Sequence, residues 1–313
     1  MTLRVTEWEA AVKSPALVWM KIFLGVEPDD DSGDAWATST GQWVHRWLAD
    51  SVRGKDFDAF VELSDVESIR ARMRECARQF QDQIRDLCTA CGRPVPDWWT
   101  SGWSNALFVA DCLAIKLSDL GNDWSHMAPE WSLESPTSIS LGDDKSLRVR
   151  GRIDLILARG ERNQSRLPFP DLWIVDYKTG RQRGFNLVEL RRNESPEEKL
   201  RKQLVKGKGV QLGLYALAAH SLGAAEVRLT LLGLADELEQ QFALKHAQAQ
   251  NDFWLELQRM QETGVFGMLG NIYSEFGFSR AYPLATLGID SDLLQQKWAM
   301  THPALAVEGE ESS

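Results

Sequence analysis

The sequence predicts a mixed α/β fold, a small mixed sheet flanked by helices and preceded by a helical elaboration. Three observations predict it. Apolar, β-branched runs bounded by Gly, Asp and Pro begin only near residue 128. A clear helix, GVQLGLYALAAHSLG (209–223), separates the third such run from the fourth, and strands alternating with a helix build a mixed sheet core. The first 125 residues carry helical patterning and no convincing strand.

The elements follow in order. Residues 4–25 read as a helix entering an aromatic-rich turn, then the polar loop EPDDDSGD. Residues 38–53 read as an amphipathic helix, with Ser39 or Thr40 as N-cap and Trp43, Val44, Trp47 and Leu48 on its apolar side. Two more helices, 56–90 and 98–120, flank the breaker CGRPVPD. WSLESPTSISL, LRVRGRIDLILA and LWIVDYK then read as three strands, the first two antiparallel neighbours. EVRLTLLGL is a fourth strand, and 236–263 a long helix. We expect one domain over 1–304, mostly helical to 125 and sheet-containing from 126, with 305–313 a disordered acidic tail.

Composition limits the function classes. With 43% hydrophobic residues in 313, a sizeable core can form. No apolar run approaches the roughly 20 residues of a membrane span, and MTLRVTEWEAAVKS lacks the apolar stretch of a signal peptide. The expectation is a cytoplasmic protein with no membrane partner. No G-x-x-x-x-G-K-[ST] occurs, so the chain supplies no ATP hydrolysis of that kind. A net charge of −10 disfavours nucleic acid in bulk, but local charge does the binding. From Lys178 to Lys208, ten basic residues stand against four acidic ones. A solvated helix face has the same composition, so DNA contact and a solvated face both remain open. KGKG, within this stretch, reads as flexible enough to order only on DNA.

Four side-chain groups could carry chemistry. In IVDYKTG, Asp176 and Lys178 share one strand face while Tyr177 takes the other; an edge ion pair is the plain alternative. Asp154 sits inside the apolar strand RIDLILA, where a carboxylate is costly unless paired or bound to a cation. Two carboxylates on neighbouring strands can hold a hard cation such as Mg²⁺ or Mn²⁺. Gln211 and Tyr215 lie one helical turn apart and share a face, as ordinary packing would also allow. His45 follows Gly41 on a helix, where a lone histidine is commonly structural.

The combined order is more specific than its parts: G-x-x-x-H, then G-x-[IV]-D, then [IV]-D-Y-K-T-G, then Q-x-x-x-Y. GQWVHRWL, GRIDLI, IVDYKTG and VQLGLYALA resemble, in sequence, the motifs of the RecB-like branch of the PD-(D/E)XK nuclease superfamily. VTEWEAAVKSPALVWMKIFLGVEPDDD resembles the entry of the nuclease domain in AddB-type helicase–nuclease subunits. The resemblance spans roughly residues 4 to 300 and implies a restriction-endonuclease-like core. It implies metal coordination by His45, Asp154, Asp176 and the backbone carbonyl of Tyr177, with Lys178 as the catalytic lysine. It implies that Gln211 and Tyr215 support the site and contact DNA. Glu130 is a weaker match to an accessory acid. Arg201, Lys202, Lys206 and Lys208 would track the DNA backbone.

Many such relatives hold an iron–sulfur cluster by one early and three late cysteines. Here the early position is Ser14, and the four cysteines, Cys76, Cys88, Cys91 and Cys112, leave none after residue 112. A cluster needs four ligating thiolates, so the expectation is no iron–sulfur cluster. The implied activity is Mg²⁺- or Mn²⁺-dependent hydrolysis of DNA phosphodiesters, in repair, recombination or phage defence, beside a separate helicase or ATPase. A catalytically inactive DNA-binding or interaction scaffold of the same fold is the alternative.

Overall fold

The computed structural model describes residues 2–13, 15–25, 35–52, 60–62, 66–118, 124–142, 144–161, 167–178, 195–233 and 242–264. The expected acidic tail and the basic positions 181–192 lie outside these residues.

Two long strands organise the molecule. β3 (His126–Gly142) and β4 (Lys145–Arg159) form an antiparallel hairpin. β5 (Asp171–Lys178) joins antiparallel to β4, and β6 (Glu226–Gly233) runs parallel to β5. The parallel pair needs a crossover, and α6 (Pro196–Leu204) and α7 (Val210–Ser221) lie in that connection. The short β2 (Val61–Glu62) and β7 (Phe242–Ala243) close the edges, giving the order β2-β3-β4-β5-β6-β7.

Helices cover both faces. α1 (Val5–Lys13) buries Val5, Trp8, Ala11 and Val12 at helical spacing. Together with α7 and α9 (Asn251–Thr263) it packs on the sheet face that carries Leu147, Val149, Ile153, Ile156 and Ile174. α3 (Ala35–Val52), α4 (Val66–Ala90) and α5 (Asp97–Ser118) cover the face that carries Leu155, Leu157, Val175 and Tyr177. The result is a mixed sheet between two helical layers, as expected. Among the described residues no helix is long and apolar enough to cross a membrane.

Several local expectations need correction. The helix expected over 4–25 is divided: β1 (Leu3–Arg4), α1, α2 (Pro15–Trp19) and a π-helical turn (Met20–Leu24). Pro15 has no amide hydrogen, which suits it to open a new helix. The first third does contain strands, β1 and β2, each of two residues. Such short pieces carry no period; they exist because β4 and β3 offer them open edges. Ser39 and Thr40 are not N-caps, since α3 begins at Ala35 and Thr40 is buried within it. The helix expected from 56 begins at Val66. Of the helix expected over 236–263, the described part from 242 is instead β7, α8 (Leu244–Gln248) and α9.

KGKG is also a built turn. Gly207 and Gly209 adopt φ of 66° and 75°, backbone that glycine alone enters freely. A Cβ on Gly207 would collide with the Lys13 side chain, so this turn is seated on α1.

Candidate active site

Side-chain alternation on β4 slips by one at Asp154. Ile153 faces the α1–α7 layer, yet Leu155 faces α3–α5 and Ile156 faces α1–α7 again. The slip is matched on β3, where Glu130 stands between Pro129, paired to Leu155, and Trp131, paired to Ile153. Glu130 has φ of 49°, a left-handed conformation costing a non-glycine residue about 1–2 kcal/mol. Such strain concentrates at functional sites.

The other edge of β4 is interrupted at the same level. β5 pairs with residues 155–159, and β1 with Val149 and Arg150. Side chains fill the gap between. The Tyr215 hydroxyl donates to the Arg152 carbonyl at 2.6 Å. The Asp154 carboxylate accepts from the Tyr177 amide at 2.7 Å. Gly151 makes this possible: a Cβ there would meet the Tyr215 ring and Val5 at 3.2 Å.

Into this irregular point α3 brings His45. Its Nδ1 lies 3.1 Å from Glu130 and 3.4 Å from Asp154. One ligand atom from each of the three residues falls within 4.8 Å of the others. The imidazole also meets the Tyr177 ring of β5 nearly at right angles, with centroids 5.6 Å apart. Burial pulls the His45 pKa down, but hydrogen bonds and charge from Asp154 and Glu130 outweigh it and raise it to about 10. Two converging carboxylates thus favour a positive charge between them.

Asp176 stands on β5, 2% exposed, and its Oδ1 accepts from Gln211 Nε2 at 3.1 Å. Gln211 also donates to the Tyr215 hydroxyl at 3.3 Å. Burial above all raises the Tyr215 pKa, and the charges of Asp176 and Asp154 add to it. Gln211 and Tyr215 therefore tie the two acids together, one bonded to Asp176 and the other to the Arg152 carbonyl two residues before Asp154. Lys178 ends β5, its backbone paired with Gly233.

The close trio contains Glu130, which the sequence suggested only as accessory, while Asp176 lies outside it, tied to α7. Tyr177 gives its amide to Asp154 and its ring to His45, and its backbone pairs with Leu232 of β6. The basic positions are unequal: Arg201 bonds Asp252 at 3.1 Å, whereas Lys206 and Lys208 are exposed. Cys76 and Cys88 lie on α4, Cys91 in the turn after it and Cys112 on α5. Sequence reasoning missed Glu9 of α1, which accepts from the Gln211 amide at 3.3 Å. No spacing signal links residues that far apart in the chain.

The donor set suits a divalent cation. It offers one imidazole nitrogen and two carboxylates, ligands that magnesium- and manganese-type sites use in oxygen-rich surroundings. His45, Glu130 and Asp154 would hold it, with Asp176 beside them on β5, bonded to Gln211.

A family model of the PD-(D/E)XK nuclease superfamily matches residues 5–275. The chain belongs to that superfamily. No curated protein matches it significantly.

Proposed function

We propose that the protein is a divalent-metal-dependent deoxyribonuclease that hydrolyses phosphodiester bonds at the rim of β4 and β5. The observation carrying this is the convergence of His45, Glu130 and Asp154 within 4.8 Å, in a chain of a nuclease superfamily. Mg²⁺ or Mn²⁺ there would supply Lewis acidity and offset charge building on a phosphate under attack. The protein's own groups do the rest. Asp154 and Glu130 orient His45 and fix the pocket's charge. Gln211 holds Asp176, and Lys178 provides the cation that meets the developing negative charge.

The order of the motifs supports a RecB-like placement within the superfamily, and hence work beside a separate motor protein in repair, recombination or phage defence. The test uses purified protein with end-labelled linear, circular and single-stranded DNA, with Mg²⁺ or Mn²⁺ and with EDTA. Metal-dependent cleavage that is lost in Asp176→Asn supports the reading. Binding without cleavage in any metal favours a scaffold of the same fold.

A further inference from the structure

Beyond the slip at Asp154, the same strand carries a second feature. Leu147, Val149 and Ile153 of β4 are buried in the α1–α7 layer. The intervening residues Arg148, Arg150 and Arg152 point to the opposite side and are exposed. Alternate residues of a strand recur about every 7 Å, so three guanidinium groups form a row. Register adds a fourth, because β1 pairs Arg4 with Arg150, and Arg4 is exposed too. Opposite the row, β3 sets Ser132 across from Arg152, Ser138 across from Arg148 and Ser140 across from Ser146.

Like charges packed side by side on a sheet face destabilise it. Carboxylates normally relieve this. Among the described residues, Glu130 alone forms an ion pair with the row, at 3.5 Å from Arg152. Arg152 itself is 64% exposed. In a chain of net charge −10, an arginine row with one ion pair among the described residues is a local exception, and a polyanion would offset its repulsion. The row is also aimed. Arg148, Arg150 and Arg152 alternate along the strand toward the slip, and the last of them pairs with Glu130, so the row ends at the carboxylates of the candidate site.

We propose that the outer face of the β3–β4 hairpin is a track for the DNA backbone, with Arg4, Arg148, Arg150 and Arg152 contacting successive phosphates and leading the strand to Glu130 and Asp154. The serines of β3 add hydroxyl donors beside the phosphates. This deepens the nuclease reading and rests on it. It places DNA contact on a strand that the basic stretch 178–208 does not include.

The experiment compares wild type, Arg148→Ala/Arg150→Ala and the control Arg85→Ala/Arg93→Ala. DNA binding is titrated in EDTA over a range of salt, and cleavage is followed in Mn²⁺. The Arg148 backbone, not its side chain, bonds Gln261, so the double variant should fold; circular dichroism and melting check this. Each lost phosphate contact removes about 0.7–0.9 from the slope of log affinity against log salt. The double variant should therefore bind more weakly, with a slope shallower by about 1.5, and cleave more slowly at limiting enzyme. The control should match wild type. A double variant with wild-type affinity and slope overturns the track while leaving the nuclease intact, as does equal weakening in the control. A wild type that neither binds nor cleaves DNA overturns both readings.

Discussion

The Asp154 carboxylate accepts the Tyr177 amide hydrogen at 2.7 Å, bridging β4 and β5 just past Leu155 and Val175, where their ladder ends. The residue proposed to hold metal thus also replaces a ladder hydrogen bond. Charge and shape at this position can be separated. Asp154→Asn keeps an acceptor for Tyr177 but loses the charge, so cleavage should fall at least about 100-fold with little change in melting temperature. Asp154→Ala should also destabilise, by about 1–3 kcal/mol, because it leaves an amide unsatisfied. Wild-type cleavage by Asp154→Asn would remove the centre of the mechanism.

Lys178 closes β5 and retains no part in the proposed metal ligation. Lys178→Ala should keep metal binding and nearly all DNA affinity. Its single-turnover rate at saturating protein should drop about 100- to 1,000-fold, the usual effect of losing one preorganised charge. A wild-type rate under saturation would make the lysine a binding residue.

His45 is held protonated to about pH 10 in the metal-free protein, against an ordinary value of 6.5. The raised value stabilises the metal-free fold fully below pH 6.5, and that contribution is lost as pH rises through about 10. A cation needs the neutral ring, so binding must release this proton. Metal affinity should therefore climb with pH between those values and level off above. Calorimetry in buffers of different ionisation enthalpy should show close to one proton released near pH 7.5. Zero release would mean that His45 does not ligate the metal.

Tyr215→Phe removes the hydroxyl that meets the Arg152 carbonyl at 2.6 Å. Melting should shift by the equivalent of about 1–3 kcal/mol, since the carbonyl loses its partner in a part-buried gap. Gln211→Leu should affect activity more than stability, because it frees Asp176 from its 3.1 Å bond. A Gln211→Leu enzyme with unchanged turnover would show that the amide only packs.

Much of this architecture was legible in the chain itself. Alternation named β4, β5 and β6, and the mixed pattern after residue 128 named the fold class. Spacing put Gln211 and Tyr215 on one face, where the two side chains indeed bond one another. The order of motifs pointed to the superfamily that the comparison then showed. These features are local or periodic, so a sequence expresses them directly.

Only tertiary structure decided the rest. Periodicity assumes a regular strand, whereas the slip at Asp154 and the left-handed Glu130 are irregularities held by neighbours. They turn Glu130 toward His45, a residue 85 positions away, and so compose the trio. β1 pairs where β4 has an open edge, and its two residues are too short to show a period. Arg201 is spent on Asp252, while Arg148, Arg150 and Arg152, equally basic, stand exposed in line with the site. Charge is written in the sequence, but which charges remain for a ligand depends on what folding brings beside them.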